Sequence, residues 1–164
     1  MNNQKGVSLI ILVITIIVVI VLAAITMQTT SDVPDEAHYT EYVQEMKNVQ
    51  TAVDSAKLRN ARKGTTEEKL TEGFKKVYLE NAPAQFVSFG DYYEPVSGYV
   101  VSMQTIGYDA PKFGNAYKPY YETDEIQTIT FGDTNYDVYV FDADWTVYYV
   151  KGLKYDGSMN YTFK

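Results

Sequence analysis

Asp133, Asn135 and Asp137 alternate as the first three oxygen ligands of an EF-hand calcium loop do. The pattern then stops. Its sixth position, which needs glycine, is Val138, and its twelfth, which needs a bidentate glutamate, is Asp144. Turn formation explains the triplet better, because Asp and Asn bond readily to nearby backbone. His38 is the only histidine, so no two-histidine motif exists, and a general base there would need partners that the sequence does not supply. Asp142 and Asp144 can be paired as acid and base, but their place in a short connection reads as turn chemistry. There is no glycine-rich phosphate loop and no nucleophile elbow. The absence of cysteine removes thiolate metal sites, a cysteine nucleophile, disulfides and a lipidated cysteine. Asn160-Tyr161-Thr162 fits a glycosylation sequon, a pattern too short to carry weight alone. The residues therefore predict no enzyme, no metal and no cofactor.

Charge narrows the partners. Lys5 is the sole basic residue before position 31, and all 21 acidic residues follow it. The 13 basic and 21 acidic residues beyond position 27 leave that part at −8, whereas a phosphate backbone needs a basic face. Nucleic acid is not an expected partner.

The strongest signal is at the N-terminus. Val7 to Met27 contains no charged residue and would span about 31 Å as a helix, matching a bilayer core of ~30 Å. Many of its residues are β-branched and would favour other conformations in water, but lipid admits only a helix as a single spanning segment. Lys5 before the run and Asp32, Asp35 and Glu36 after it place the N-terminus in the cytoplasm and the remainder outside. A cleaved secretory signal, with small residues at Ala23-Ala24, is the plainer alternative; the apolar region exceeds the ~7 to 15 residues such signals use.

A short polar leader ending in Lys5-Gly6, then Val7-Ser8-Leu9-Ile10 and an unbroken apolar run, resembles the N-terminus of type IV pilins and type II secretion pseudopilins. The resemblance covers about the first thirty residues. It implies cleavage by a prepilin peptidase between Gly6 and Val7, N-methylation, and assembly with other pilin-like subunits through a helix beginning Val7, Ser8, Leu9, Ile10 and Ile11. Two positions depart from the family. Val7 replaces the usual phenylalanine, and Ile11 replaces the glutamate thought to pair with a neighbouring subunit's N-terminal amine.

Gln28 to Asp32 is polar, and Pro34 predicts a break there, with Ser31 or Asp32 as a cap. Beyond it Tyr39, Tyr42, Val43, Met46, Val49, Val53 and Ala56 recur at spacings of three and four, defining one face of a helix. Lys57, Arg59, Arg62 and Lys63 gather at its end before Gly64, where cations face the negative pole. Thr65 with Glu68 predicts a capping box for a second helix carrying Leu70, Phe74 and Tyr78 and ending near Pro83. Strands follow at Gly98–Gln104, Ile126–Phe131, Tyr136–Phe141 and Thr146–Lys151, the last three as an antiparallel meander, with a final hairpin turning at Asp156-Gly157. Tyr108 to Glu125 reads as a long irregular connection. The 16 tyrosines fit half-buried sheet positions, with an adhesive or carbohydrate-stacking surface as the alternative.

The sequence thus predicts an α+β protein: a long N-terminal helix, membrane-spanning in its first half, amphipathic in its second and broken near Pro34, packed on a C-terminal antiparallel sheet in the pilin-like manner. Its parts are a leader (1–6), a transmembrane and assembly helix (7–27), a polar junction (28–36) and an extracellular head (37–164) that includes the amphipathic helix 37–63. The expected function is a structural subunit of a type IV pilus-like filament or pseudopilus, held in the inner or cytoplasmic membrane before reaching the cell surface. The alternative is a single-pass anchored extracellular binding domain that does not polymerise.

Overall fold

The computed structural model describes residues 3–91, 94–109, 111–114 and 125–163, with side chains of the first helix described at 13–17 and from 36 onward. The chain divides into two compact units, Met1–His38 and Tyr39–Lys164.

Helix α1 runs Asn3–Ala61 without interruption at Pro34. Proline removes one i to i−4 hydrogen bond, which lowers helix stability, and the expected break does not occur. The expected membrane-spanning half is also corrected: among the described residues, no helix is long and apolar enough to cross a membrane. Spanning takes ~20 consecutive apolar residues. The described apolar stretch is confined to Val13–Ile17, and from Glu36 onward charges interrupt the helix every few residues. The remaining side chains of 7–27 lie outside the described residues.

In the second unit the α1 stripe does the packing that its spacing requires. Tyr42, Met46, Val49, Val53 and Ala56 are completely buried, with Tyr39 and Val43 partly so. They meet one face of a five-stranded sheet made of β1 (Lys75–Glu80), β2 (Ser97–Val100), β3 (Thr128–Thr130), β4 (Tyr139–Phe141) and β5 (Val147–Tyr149), in the order β3-β1-β2-β4-β5. Adjacent strand residues alternate between two cores. Tyr99, Tyr139, Phe141, Val147 and Tyr149 face the helix, while Val100, Val140, Tyr148 and Val150 face a second cluster with Val77, Leu79, Ile129 and Phe131. Phe86, Tyr136 and Tyr161 pack against that second cluster. Burial on both faces is why these strands read as continuous apolar runs rather than as polar and apolar alternation.

The sheet is not wholly antiparallel as expected. β1 pairs with β3 in parallel, Leu79 opposite Ile129, and β3 does not join β4 in a meander. The expected second helix shrinks to one turn, α2 (Glu67–Leu70), whose N-cap is Thr66 without a side-chain bond, so the Thr65–Glu68 box is not made. Phe74 then precedes β1 and Tyr78 lies within it, because Val77 and Leu79 bury at alternate positions. The strand expected to reach Gln104 ends at Val100, where Ser102 accepts from the Thr105 N–H and caps α3 (Met103–Ile106). The hairpin at Asp156-Gly157 is present, joining β6 (Leu153–Tyr155) to β7 (Ser158–Asn160) through two residues with positive φ.

Candidate functional site

Glu45 sits on the buried stripe of α1, three residues after Tyr42 and four before Val49, and is only 8% exposed. A carboxylate in such a place needs donors. Its Oε1 accepts from the Phe113 N–H at 2.9 Å and the Tyr139 hydroxyl at 2.8 Å, and its Oε2 accepts from the Lys112 N–H at 2.8 Å. The next amide, Gly114 N–H, donates to Asp137 Oδ1 at 2.9 Å, and that same oxygen accepts from the Tyr149 hydroxyl at 2.6 Å. Two carboxylates, one on α1 and one just before β4, thus hold three successive backbone amides. Gly114 has φ of +64°, and a Cβ there would stand 2.3 Å from the Tyr139 ring. The close approach of backbone to ring is possible only for glycine.

The phenols around this clamp are held protonated. Burial pushes the Tyr139 hydroxyl far above its usual value, and the hydrogen bond and charge of Glu45 push it further. Burial, then the bond to Asp137, does the same to Tyr149, and burial with neighbouring Tyr39 raises Tyr42. They serve as hydrogen-bond donors and ring surface. The same clamp brings Lys112 to α1, where its ammonium pairs with Glu41, and together with Tyr108 it lines a groove along Thr40, Gln44 and Asn48.

The residues singled out by sequence are dispersed. Asp133 Oδ1 accepts from the Asn135 N–H at 2.9 Å, a turn within its own loop, while Asp137 turns to Gly114 and Tyr149. Among the described residues no group of three or more His, Cys, Asp or Glu is placed to hold a metal ion. Asp142 is buried and accepts from the Thr146 and Val87 amides and the Tyr148 hydroxyl, which fastens the β4–β5 connection to the segment before β2. His38 is exposed and closes the first unit. The basic cluster separates into individual contacts: Lys57 lies 4.8 Å from the centre of the Trp145 ring, Arg59 donates to the Thr105 carbonyl, and Lys63 pairs with Glu72 at 3.0 Å. Asn160 Nδ2 donates to the Leu153 and Ser158 carbonyls. The side chains of Val7, Ser8, Leu9, Ile10 and Ile11, with the Gly6–Val7 bond, lie outside the described residues.

The sequence reading does not single out Glu45, although an acid on an otherwise apolar stripe between Tyr42 and Met46 is a legible signal. Comparison with protein-family models, characterised proteins and solved structures returns no match.

Proposed function

We propose that this chain is a structural subunit of a surface filament of the type IV pilus kind, or of a secretion pseudopilus, freed from its leader by cleavage between Gly6 and Val7. The observation that carries this reading is the order Lys5-Gly6, then an uncharged apolar run, then a helix that becomes the core of a folded head. Val13, Ile14, Ile16 and Ile17 are each roughly half exposed and, at ~100° per residue, share one broad side of the helix, with Thr15 on the other. An exposed apolar face of that width needs cover. Parallel copies of the same segment in a filament core supply it.

Two measurements test the proposal. The intact mass of the protein from cells should correspond to a chain starting at Val7, with or without one N-methyl group, and the protein should be recovered in filaments sheared from the surface. A mass that still includes Met1 to Gly6, with all the protein left on the cell body, would favour the second reading, an anchored binding domain that does not polymerise. Ile11 is the observation on its side, since the resemblance implies a glutamate there for the assembly contact.

A further inference from the structure

The groove beside α1 in the second unit has a volume of about 430 Å³, within the usual size range of small-ligand sites. One wall is the exposed face of α1, where Thr40, Glu41, Gln44 and Asn48 follow one another at helical spacing. The other comes from Tyr108 and Lys112. Tyr108 packs half-buried against the helix-side core, and its backbone N–H donates to the Met103 carbonyl at 3.0 Å, which fixes the main chain from which the residue lines the groove.

The polar groups are matched to a neutral ligand. The Lys112 ammonium already pairs with Glu41, and the Glu45 carboxylate, which also lines the groove, is occupied by three donors. Neither an anion nor a cation would find an uncommitted opposite charge among these residues. Gln44 Nε2 donates to Asn48 Oδ1 at 3.1 Å. Among the described residues that leaves the Gln44 carbonyl oxygen and the Asn48 amide nitrogen without a protein hydrogen bond, an acceptor and a donor one helical turn apart. Hydroxyl groups both donate and accept, and a pyranose ring adds an apolar face of C–H bonds that can lie against an aromatic ring.

We propose that this groove binds a neutral saccharide, with Tyr108 as the stacking surface and Gln44 and Asn48 reading its hydroxyls. The inference does not depend on whether the chain polymerises.

The test is saturation-transfer NMR on the full chain in a zwitterionic detergent without a sugar headgroup. The probes are glucose, galactose, N-acetylglucosamine and N-acetylgalactosamine, each also as a β-linked disaccharide, with sialic acid and spermidine as charged comparators. At least one neutral sugar should show saturable transfer to the C–H protons of one ring face. Binding should weaken by about tenfold in Gln44→Ala or Asn48→Ala, the loss expected for one or two hydrogen bonds, and persist in Tyr108→Phe. Gln44 and Asn48 are exposed, so their variants keep the fold and the result stands even if Tyr108→Ala does not fold. No transfer to any neutral sugar, transfer unchanged in both α1 variants, or a stronger response to sialic acid or spermidine than to every neutral probe would each overturn the proposal.

Discussion

The Tyr139 hydroxyl donates to Glu45 Oε1 at 2.8 Å, tying the start of β4 to α1 across 94 positions of sequence. Neither group would be comfortable alone in that core. The phenol is completely buried and needs an acceptor, and the carboxylate needs donors in the absence of bulk water. The pair also decides where the 112–114 segment lies, because among the described residues the other donors to Glu45 are the Lys112 and Phe113 amides.

Removing either partner should therefore be costly, and unequally so. Tyr139→Phe leaves Glu45 two donors and should lose about 1.5–3 kcal/mol, the range for a hydrogen bond to a charged group. Glu45→Ala strands a buried phenol and two amides and should lose about 3–5 kcal/mol. In the double variant the phenol no longer lacks an acceptor, so the combined loss should fall short of the sum. Urea unfolding followed by the near-UV tyrosine signal measures all three. Strict additivity would show that the two side chains do not depend on each other.

Alkali should unfold the protein through its tyrosines. Tyr42, Tyr139, Tyr148 and Tyr149 are all held above their usual value, in each case first by burial; for Tyr148 the charge of Asp142 comes next. In the unfolded chain these phenols lose their protons near pH ~10. Above that pH the folded state binds more protons than the unfolded state, so stability is full below about pH 10 and falls as pH rises beyond it. Tyrosinate absorbance recorded with near-UV circular dichroism should show exposed tyrosines ionising first and these four ionising together with loss of the fold. Complete ionisation while the near-UV signal persists would contradict the assigned burial.

Trp145 adopts φ of +66° in the connection between β4 and β5, a left-handed conformation seldom taken by a bulky residue. What holds it there is its ring, which stacks on Phe141 at 4.7 Å between centroids and lies beneath the Lys57 ammonium. Trp145→Ala would lose those contacts and keep the backbone strain, whereas Trp145→Gly would lose the contacts and relieve it. Both variants should be less stable than the natural protein, with glycine the better of the two by about 1 kcal/mol. Thermal unfolding gives the order, and alanine above glycine would mean that the turn is not strained.

Much of the second unit was legible in sequence, and the failures have physical causes. The α1 stripe from Tyr42 to Ala56 could be read because its period reports a single buried face. The strands at Tyr139–Phe141 and Val147–Tyr149 lie inside runs recognised as strands, and the Asp156-Gly157 turn follows from local backbone preference alone. β1 reads as helix because Phe74 and Tyr78 stand four apart; the alternation of Val77 and Leu79 is only two residues long. Its parallel pairing with β3 could not be read, since it joins positions some fifty residues apart with no local mark of the partner. The clamp on 112–114 was half legible. The charge of Glu45 on an apolar face announced a buried partner, but the identity of that partner depends on the strand order.

Gly107 and Gly114 offer a controlled comparison, one before that clamp and one inside it. They have nearly the same backbone, φ +68° and +64°, but an added Cβ would meet nothing within 4 Å at Gly107 and would stand 2.3 Å from the Tyr139 ring at Gly114. Gly107→Ala should therefore report backbone strain alone, about 1 kcal/mol. Gly114→Ala should lose that amount and more, because the ring cannot swing aside while its hydroxyl is held by Glu45 and its faces by Tyr149 and the core. The excess has a structural signature as well. Chemical shifts of the Lys112 and Phe113 amides should move in Gly114→Ala as the segment backs away from Tyr139, and should stay in place in Gly107→Ala. Equal destabilisation of the two variants, with both amides unmoved, would show that the contact between Gly114 and Tyr139 does not hold the segment against α1.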